Sequence, residues 1–215
     1  MCVTTRSRLG DHGRYHALHK AMRTKILRPK DFEPHPDEAS TISALMETQS
    51  RYQLNPRGKV WHISTGHPFT DDHVDLLRHF TSLISFAKGS VLREDLNLTD
   101  IGVKRLAAIS SMAAVMIENC PQISDAIFDY ISGNHRIRWL CLNCPNLTDK
   151  GMGCVGEMTH LLRLALIGSA VTESSVPYLS KLVNLRHLSL KECDFSSEAI
   201  ESLRTHLPNC KIDSS

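Results

Sequence analysis

Two groups of residues have the types and spacing on which metal or redox chemistry is commonly built. Cys141-x-x-Cys144 is the only Cys-x-x-Cys in the chain, half of the ligand set of a structural zinc ion and the spacing of a redox dithiol. A structural zinc ion takes four ligands, and no second pair stands at a suitable spacing. Cys144 lies four residues before a threonine, just as Cys120 lies four residues before a serine. That recurrence reads as a buried repeat position, with Cys141 alternating to the opposite face. His12, His16 and His19 would stack on one face of a helix, a spacing that can bind metal. They fall in a stretch whose composition reads as a solvated arm. No Gly-rich phosphate loop follows a strand, and no nucleophile-elbow or paired-histidine motif occurs. The expectation is a protein without catalysis, cofactor, metal or small-molecule substrate.

The elements that must position these residues come from a repeat. An apolar residue followed by Thr or Ser, usually with an acid next, occurs six times: Phe69-Thr70-Asp71, Leu98-Thr99-Asp100, Ile123-Ser124-Asp125, Leu147-Thr148-Asp149, Val171-Thr172-Glu173 and Phe195-Ser196-Ser197. The hydroxyl residues are spaced 29, 25, 24, 24 and 24 apart. Each opens a helix-period stripe: Val74, Leu77, Phe80; Val103, Leu106, Ile109; Met152, Val155, Met158; Val176, Leu179, Leu182; Ile200, Leu203, Leu207. The hydroxyl is placed to cap that helix, and the acid complements the positive end of its dipole. Sixteen residues after the Thr or Ser comes an alternating segment: Val115-x-Ile117, Leu140-x-Leu142, Leu164-x-Leu166, Leu188-x-Leu190. Alternation marks a strand with one buried face. The one-residue excess between Thr99 and Ser124 belongs in the loop after Ile117, because the other register would bury Glu118 without a partner. The five-residue excess after Thr70 falls near Ala87-Lys88-Gly89-Ser90, where periodicity does not place the strand.

Strand, turn, helix and return every 24 residues is the pattern of a leucine-rich repeat. Leu140-x-Leu142-x-Cys144-x-x-Leu147-Thr148-Asp149-x-Gly151 resembles its cysteine-containing subclass, known from F-box substrate receptors and many bacterial proteins. The ending Leu207-Pro208-Asn209-Cys210-Lys211-Ile212 looks like the closing segment of such bacterial proteins. The resemblance, over roughly residues 60–212, implies an α/β solenoid: a right-handed horseshoe with a parallel sheet on the concave face and helices on the convex face. The residues before the repeats offer no F-box-like three-helix unit.

A solenoid must cover its first repeat. Residues 36–59 are expected to do so, with a helix from Asp37 to Gln49 and a hairpin built on Tyr52–Leu54, a turn at Asn55–Gly58, and Lys59–Ile63. Residues 60–215 then form a solenoid of about six repeats. Residues 1–35 form a basic, flexible arm with eight Lys/Arg against three acids, a charge of +5. The remaining residues carry 17 basic and 20 acidic groups, a charge of −3. No 18-residue apolar stretch and no apolar leader is present, and the seven cysteines fit a reducing compartment. Cytoplasmic localisation follows as an expectation. The mitochondrial alternative rests on the amphipathic, Arg-rich arm, which would make the chain similar to leucine-rich-repeat assembly factors such as the subunit s family associated with ATP synthase.

Side chains alternating with the buried strand residues should share the concave face: Met116, Trp139, Cys141, Asn143, Arg163, Ile167, His187 and Lys191, with Ala114, Glu118, Ala165 and Ser189 among them. Trp, Met, Ile and Arg are enriched at protein interfaces, and Arg163 is placed to stack on Trp139. The expected function is a scaffold that binds another protein there. Contact of the basic arm with nucleic acid or an anionic membrane surface is the alternative.

Overall fold

The computed structural model describes residues 34–48, 50–65, 69–88 and 98–214. The described residues belong to one compact unit. The chain begins with helix α1 (Pro36–Met46) and an antiparallel hairpin, β1 (Arg51–Leu54) and β2 (Val60–Thr65). Asn55 makes the turn: its carbonyl accepts the Gly58 N–H at 2.9 Å and its side chain the Arg57 N–H at 2.9 Å. Gly58 sits at φ 72°, the left-handed region where a Cβ is strained. Glu38 of α1 is fully buried, and its Oε2 accepts the Val60 N–H at 2.8 Å. That bond docks the helix on the hairpin.

From β2 onward the unit repeats. Helix α2 (Asp71–Leu76) continues into a 3-10 turn (Leu77–His79) and leads to β3 (Ser85–Lys88). Then follow α3 (Asp100–Ala107), β4 (Ala114–Glu118), α4 (Ala126–Ser132) and β5 (Trp139–Asn143). A 3-10 turn (Asp149–Gly151) opens α5 (Met152–Glu157) before β6 (Arg163–Leu166), and another (Glu173–Ser175) opens α6 (Val176–Leu179) before β7 (His187–Ser189). Helix α7 (Ser197–His206) and β8 (Lys211–Asp213) close the described chain. Among the described residues, eight strands lie in sequence order in one sheet, parallel from β2 to β8. This is an α/β leucine-rich-repeat solenoid.

The strand register follows the sixteen-residue offset. Phe86, Val115, Leu140, Leu164, Leu188 and Ile212 stand side by side, and Ile117, Leu142 and Leu166 form the row two residues on. Leu140, Leu142, Leu164, Leu166, Leu188 and Leu190 are each at most 1% exposed, which fixes their face as the core side. Glu118 stays half-buried opposite Asn143, and Asn119, at φ 55°, takes up the extra residue of that repeat. The unplaced strand is β3; the rest of that excess lies outside the described residues.

One helix stripe departs from expectation. Val176 is only half-buried, and Ser175 is fully buried in its place, donating its hydroxyl to the Thr172 carbonyl at 2.6 Å. The preceding repeat has the same 3-10 turn at Asp149–Gly151 yet buries Met152 fully, so the winding alone does not account for the exposure of Val176.

The repeated Thr or Ser does cap its own turn: Thr99, Thr148 and Thr172 accept the N–H two residues on. The acid after it does more than meet a dipole. Asp71 accepts both the N–H (2.9 Å) and hydroxyl (2.6 Å) of Thr99; Asp100 does the same for Ser124 (2.8 and 2.6 Å), Asp125 for Thr148 (2.8 and 2.5 Å) and Asp149 for Thr172 (2.9 and 2.6 Å). Glu173 takes only the Ser196 hydroxyl, at 2.5 Å. A ladder of charge-assisted hydrogen bonds thus fastens each repeat to the next. It also explains two glycines: a Cβ on Gly102 would lie 2.3 Å from Asp71 Oδ1, and one on Gly151 would lie 2.3 Å from Phe128 Cδ2 and 2.9 Å from Asp125 Oδ1.

Candidate interaction face

The sheet has a core side and an open side, and the strand register writes the open side as rows. Along the strand beginnings run His62, Ser85, Ala114, Trp139, Arg163, His187 and Lys211. Two residues on run Ser64, Ala87, Met116, Cys141, Ala165, Ser189 and Asp213. Glu118 and Asn143 stand opposite each other in a third row, and Ile167 and Lys191 follow the ends of β6 and β7. Of the side chains assigned to this face from sequence, Met116 and His187 are exposed; Trp139, Cys141, Asn143, Arg163, Ile167 and Lys191 are half-buried. All eight therefore alternate with the buried leucines as alternation requires.

Trp139 and Arg163 are register partners, and the Arg163 guanidinium carbon sits 4.5 Å from the indole centroid. The cation lies over the face of the ring, where the indole quadrupole attracts it. Met116, 43% exposed, stands on the strand before. Arg163, His187 and Lys211 share the first row, and Arg138 and Arg186 each stand one residue upstream of it. The carboxylates Glu118 and Asp213 lie toward the strand ends, with Asp213 bridged to Lys191 at 3.3 Å.

Two thiols and one imidazole here are held in neutral forms. Burial, helped by the Glu118 charge, raises Cys141 to about 11, and burial next to Cys120 raises Cys144 to about 12. Cys144 is buried on the core side while Cys141 is on the open side, so the two cannot chelate one ion together. A thiol rather than a thiolate is a poor nucleophile and a poor metal ligand at neutral pH. His62 is lowered to about 4 by burial, with its Nδ1 2.9 Å from the Ser85 hydroxyl. Among the described residues no group of three or more His, Cys, Asp or Glu is placed to hold a metal ion. The His12, His16 and His19 set lies outside them. Among the described residues, too, no helix is long and apolar enough to cross a membrane.

Sequence reasoning missed the two ends of the face. His62, Ser64, Ser85 and Ala87 extend it on one side, Lys211 and Asp213 on the other. The signal was present: sixteen residues after Thr70 stands Phe86, and sixteen after Ser196 stands Ile212, both in the core row.

No family model matches the sequence, and a search of curated proteins gave no match. Solved structures do resemble it. Internalin C2 of Listeria monocytogenes aligns over 71% of this chain and 70% of its own, with TM-score 0.51 and 16% identity. A second Listeria internalin aligns over 86% of this chain and 56% of its own, with TM-score 0.49 and 17% identity. A leucine-rich-repeat protein of Leptospira interrogans aligns over 67% of this chain, with TM-score 0.43 and 19% identity. The chain spans about a third of the length of that protein, 33%. The likeness to internalin C2 is one of fold.

Proposed function

We propose that this chain is a non-catalytic protein-interaction module, a scaffold that binds one protein partner on the open face of its sheet. The observation that carries the reading is the stacked Trp139–Arg163 pair beside exposed Met116. An aromatic and an arginine on adjacent strands of the sheet are the side-chain types that dominate interface energetics. The buried thiols support a binding role over a nucleophilic one. Cys120 and Cys144, buried at matching repeat positions, support membership of the cysteine-containing subclass, and the free cysteines support a reducing, cytoplasmic setting.

Affinity capture with the full chain and its Trp139→Ala variant tests this. Trp139→Ala should weaken partner capture by about 2 kcal/mol or more, the mark of a hot spot. Arg204→Ala, exposed on α7 and paired with Glu201 at 3.2 Å, should leave capture unchanged. The reverse pattern would move the site to the helical side.

The +5 charge of residues 1–35 favours a second reading, an adaptor steered by its arm to nucleic acid or an anionic membrane, or a mitochondrial assembly factor carrying a presequence. Partner binding that falls steeply with salt and survives Trp139→Ala would select it.

A further inference from the structure

We propose that Lys88 and Thr65 form a buried site for a small monocarboxylate, on the core side of the sheet at the ends of β3 and β2. The two are register partners on adjacent parallel strands. They are 0% and 3% exposed, and neither Lys88 Nζ nor Thr65 Oγ1 has a hydrogen-bond partner among the described residues. Their row continues through Ile117, Leu142 and Leu166, all fully buried. Two polar side chains thus stand where β4, β5 and β6 each place an aliphatic one. The irregularity in core polarity coincides with one in length, since Lys88 lies in the longest spacing of the series, the 29 residues from Thr70 to Thr99. A buried polar atom without a partner forfeits the hydrogen bonds it made to water, and a buried ammonium without a counter-charge forfeits far more. Native interiors rarely leave such groups alone. Among the described residues the chain's own carboxylates do not answer this one. Strands β1 to β3 contain no Asp or Glu. Asp71 holds Thr99, Asp72 and Asp75 pair with Arg105, and buried Glu38 is taken by the Val60 N–H and the Lys59 ammonium.

Charge and spacing decide the class of ligand. Parallel strands lie about 4.8 Å apart, and register partners of one row emerge on the same side of the sheet. A carboxylate answers both groups: one oxygen accepts from the Lys88 ammonium and the other from the Thr65 hydroxyl, in charge-assisted bonds. One cation and one neutral donor balance a single negative charge, whereas a phosphate dianion would leave an excess charge in the core. Both groups are shut off from solvent, so a small molecule fits the site and a partner's surface does not. Uptake then goes with a local opening of this end of the sheet. Fully buried Ile117, next in the row, favours an acid whose remainder is short and apolar. The site lies on the other side of the sheet from Trp139 and Arg163, so it stands or falls independently of the partner face.

The test uses the full chain with acetate as the probe, exchanged for chloride at constant ionic strength, and inorganic phosphate as the comparison. Acetate should raise the melting temperature of the unsubstituted protein progressively with concentration, as mass action requires of a ligand held only by the folded state. Saturation transfer from protein methyl groups to the acetate protons gives a second reading that does not depend on melting. Lys88→Met should abolish both signals, and Thr65→Val should weaken acetate binding about tenfold. Phosphate should raise the melting temperature less than acetate does. Three results would overturn the proposal. The first is no acetate response in the unsubstituted protein. The second is an equal response in Lys88→Met, which would put acetate on other cations, those of residues 1–35 among them. The third is a larger response to phosphate, which would give the site to a different anion. Should Lys88→Met lose its melting transition, Thr65→Val decides alone, and acetate affinity equal to that of the unsubstituted protein would sink the site.

Discussion

Thr99 donates its N–H and its hydroxyl to Asp71 across 28 residues, where the other rungs of the same ladder span 23 or 24. The extra residues between the first two repeats are therefore absorbed without changing how the repeats join. The rung is the invariant of this solenoid, and loop length is not.

Removing one rung should destabilise the fold measurably. Asp149→Ala leaves the Thr172 N–H and hydroxyl without their acceptor, at half-buried positions, and should cost about 1–3 kcal/mol in urea unfolding. Glu173→Ala breaks a single bond from an exposed carboxylate and should cost less. Equal costs would show that the ladder is not what couples the repeats.

Two helix glycines, one crowded and one open, should respond with opposite sign. Gly102→Ala drives a methyl against Asp71 Oδ1 and Leu98 Cδ1, at 2.3 and 2.4 Å, and should destabilise by about 1–3 kcal/mol through overpacking. Gly153, inside α5, has open space where its Cβ would go. Gly153→Ala should stabilise by about 0.5–1 kcal/mol through helix propensity. Thermal melts of the pair read both.

Core leucines of the row should carry a full cavity penalty. Leu164→Ala should cost about 2–5 kcal/mol in chemical denaturation, as expected for a side chain 1% exposed between Leu140 and Leu188. A near-neutral result would contradict the register.

Acid sensitivity should include a contribution from His62. Its pKa is about 4 when folded against 6.5 ordinarily, so the unfolded chain binds more protons between those values. Stability should be undiminished by this residue above pH 6.5, fall as pH drops from 6.5 toward 4, and lose nothing further from it below. His62→Gln should flatten the stability profile in that window. An identical slope in both proteins would show that His62 is not held neutral.

The sequence by itself determined the solenoid, because its information is periodic. A hydroxyl residue every 24 positions, with two-residue alternation at a fixed offset, leaves one way to bury Leu140, Leu164 and Leu188 while keeping Glu118 out of the core. It also placed Trp139 and Arg163 on one face, since alternation in adjacent strands decides sidedness before any coordinates exist. Where the spacing stretched to 29 the reading left β3 unplaced, although Phe86 stands at the same sixteen-residue offset from Thr70 and pairs beside Val115. Tertiary structure alone decided what the acids do. Asp71, Asp100, Asp125 and Asp149 look like partners of their own helices because sequence shows only near neighbours. Stacking brings the next repeat's threonine or serine nearer to the carboxylate than any neighbour in the chain could signal. The clustering of Arg163, His187 and Lys211 was hidden in the same way: the three lie 24 residues apart in sequence and become neighbours only when the strands pair.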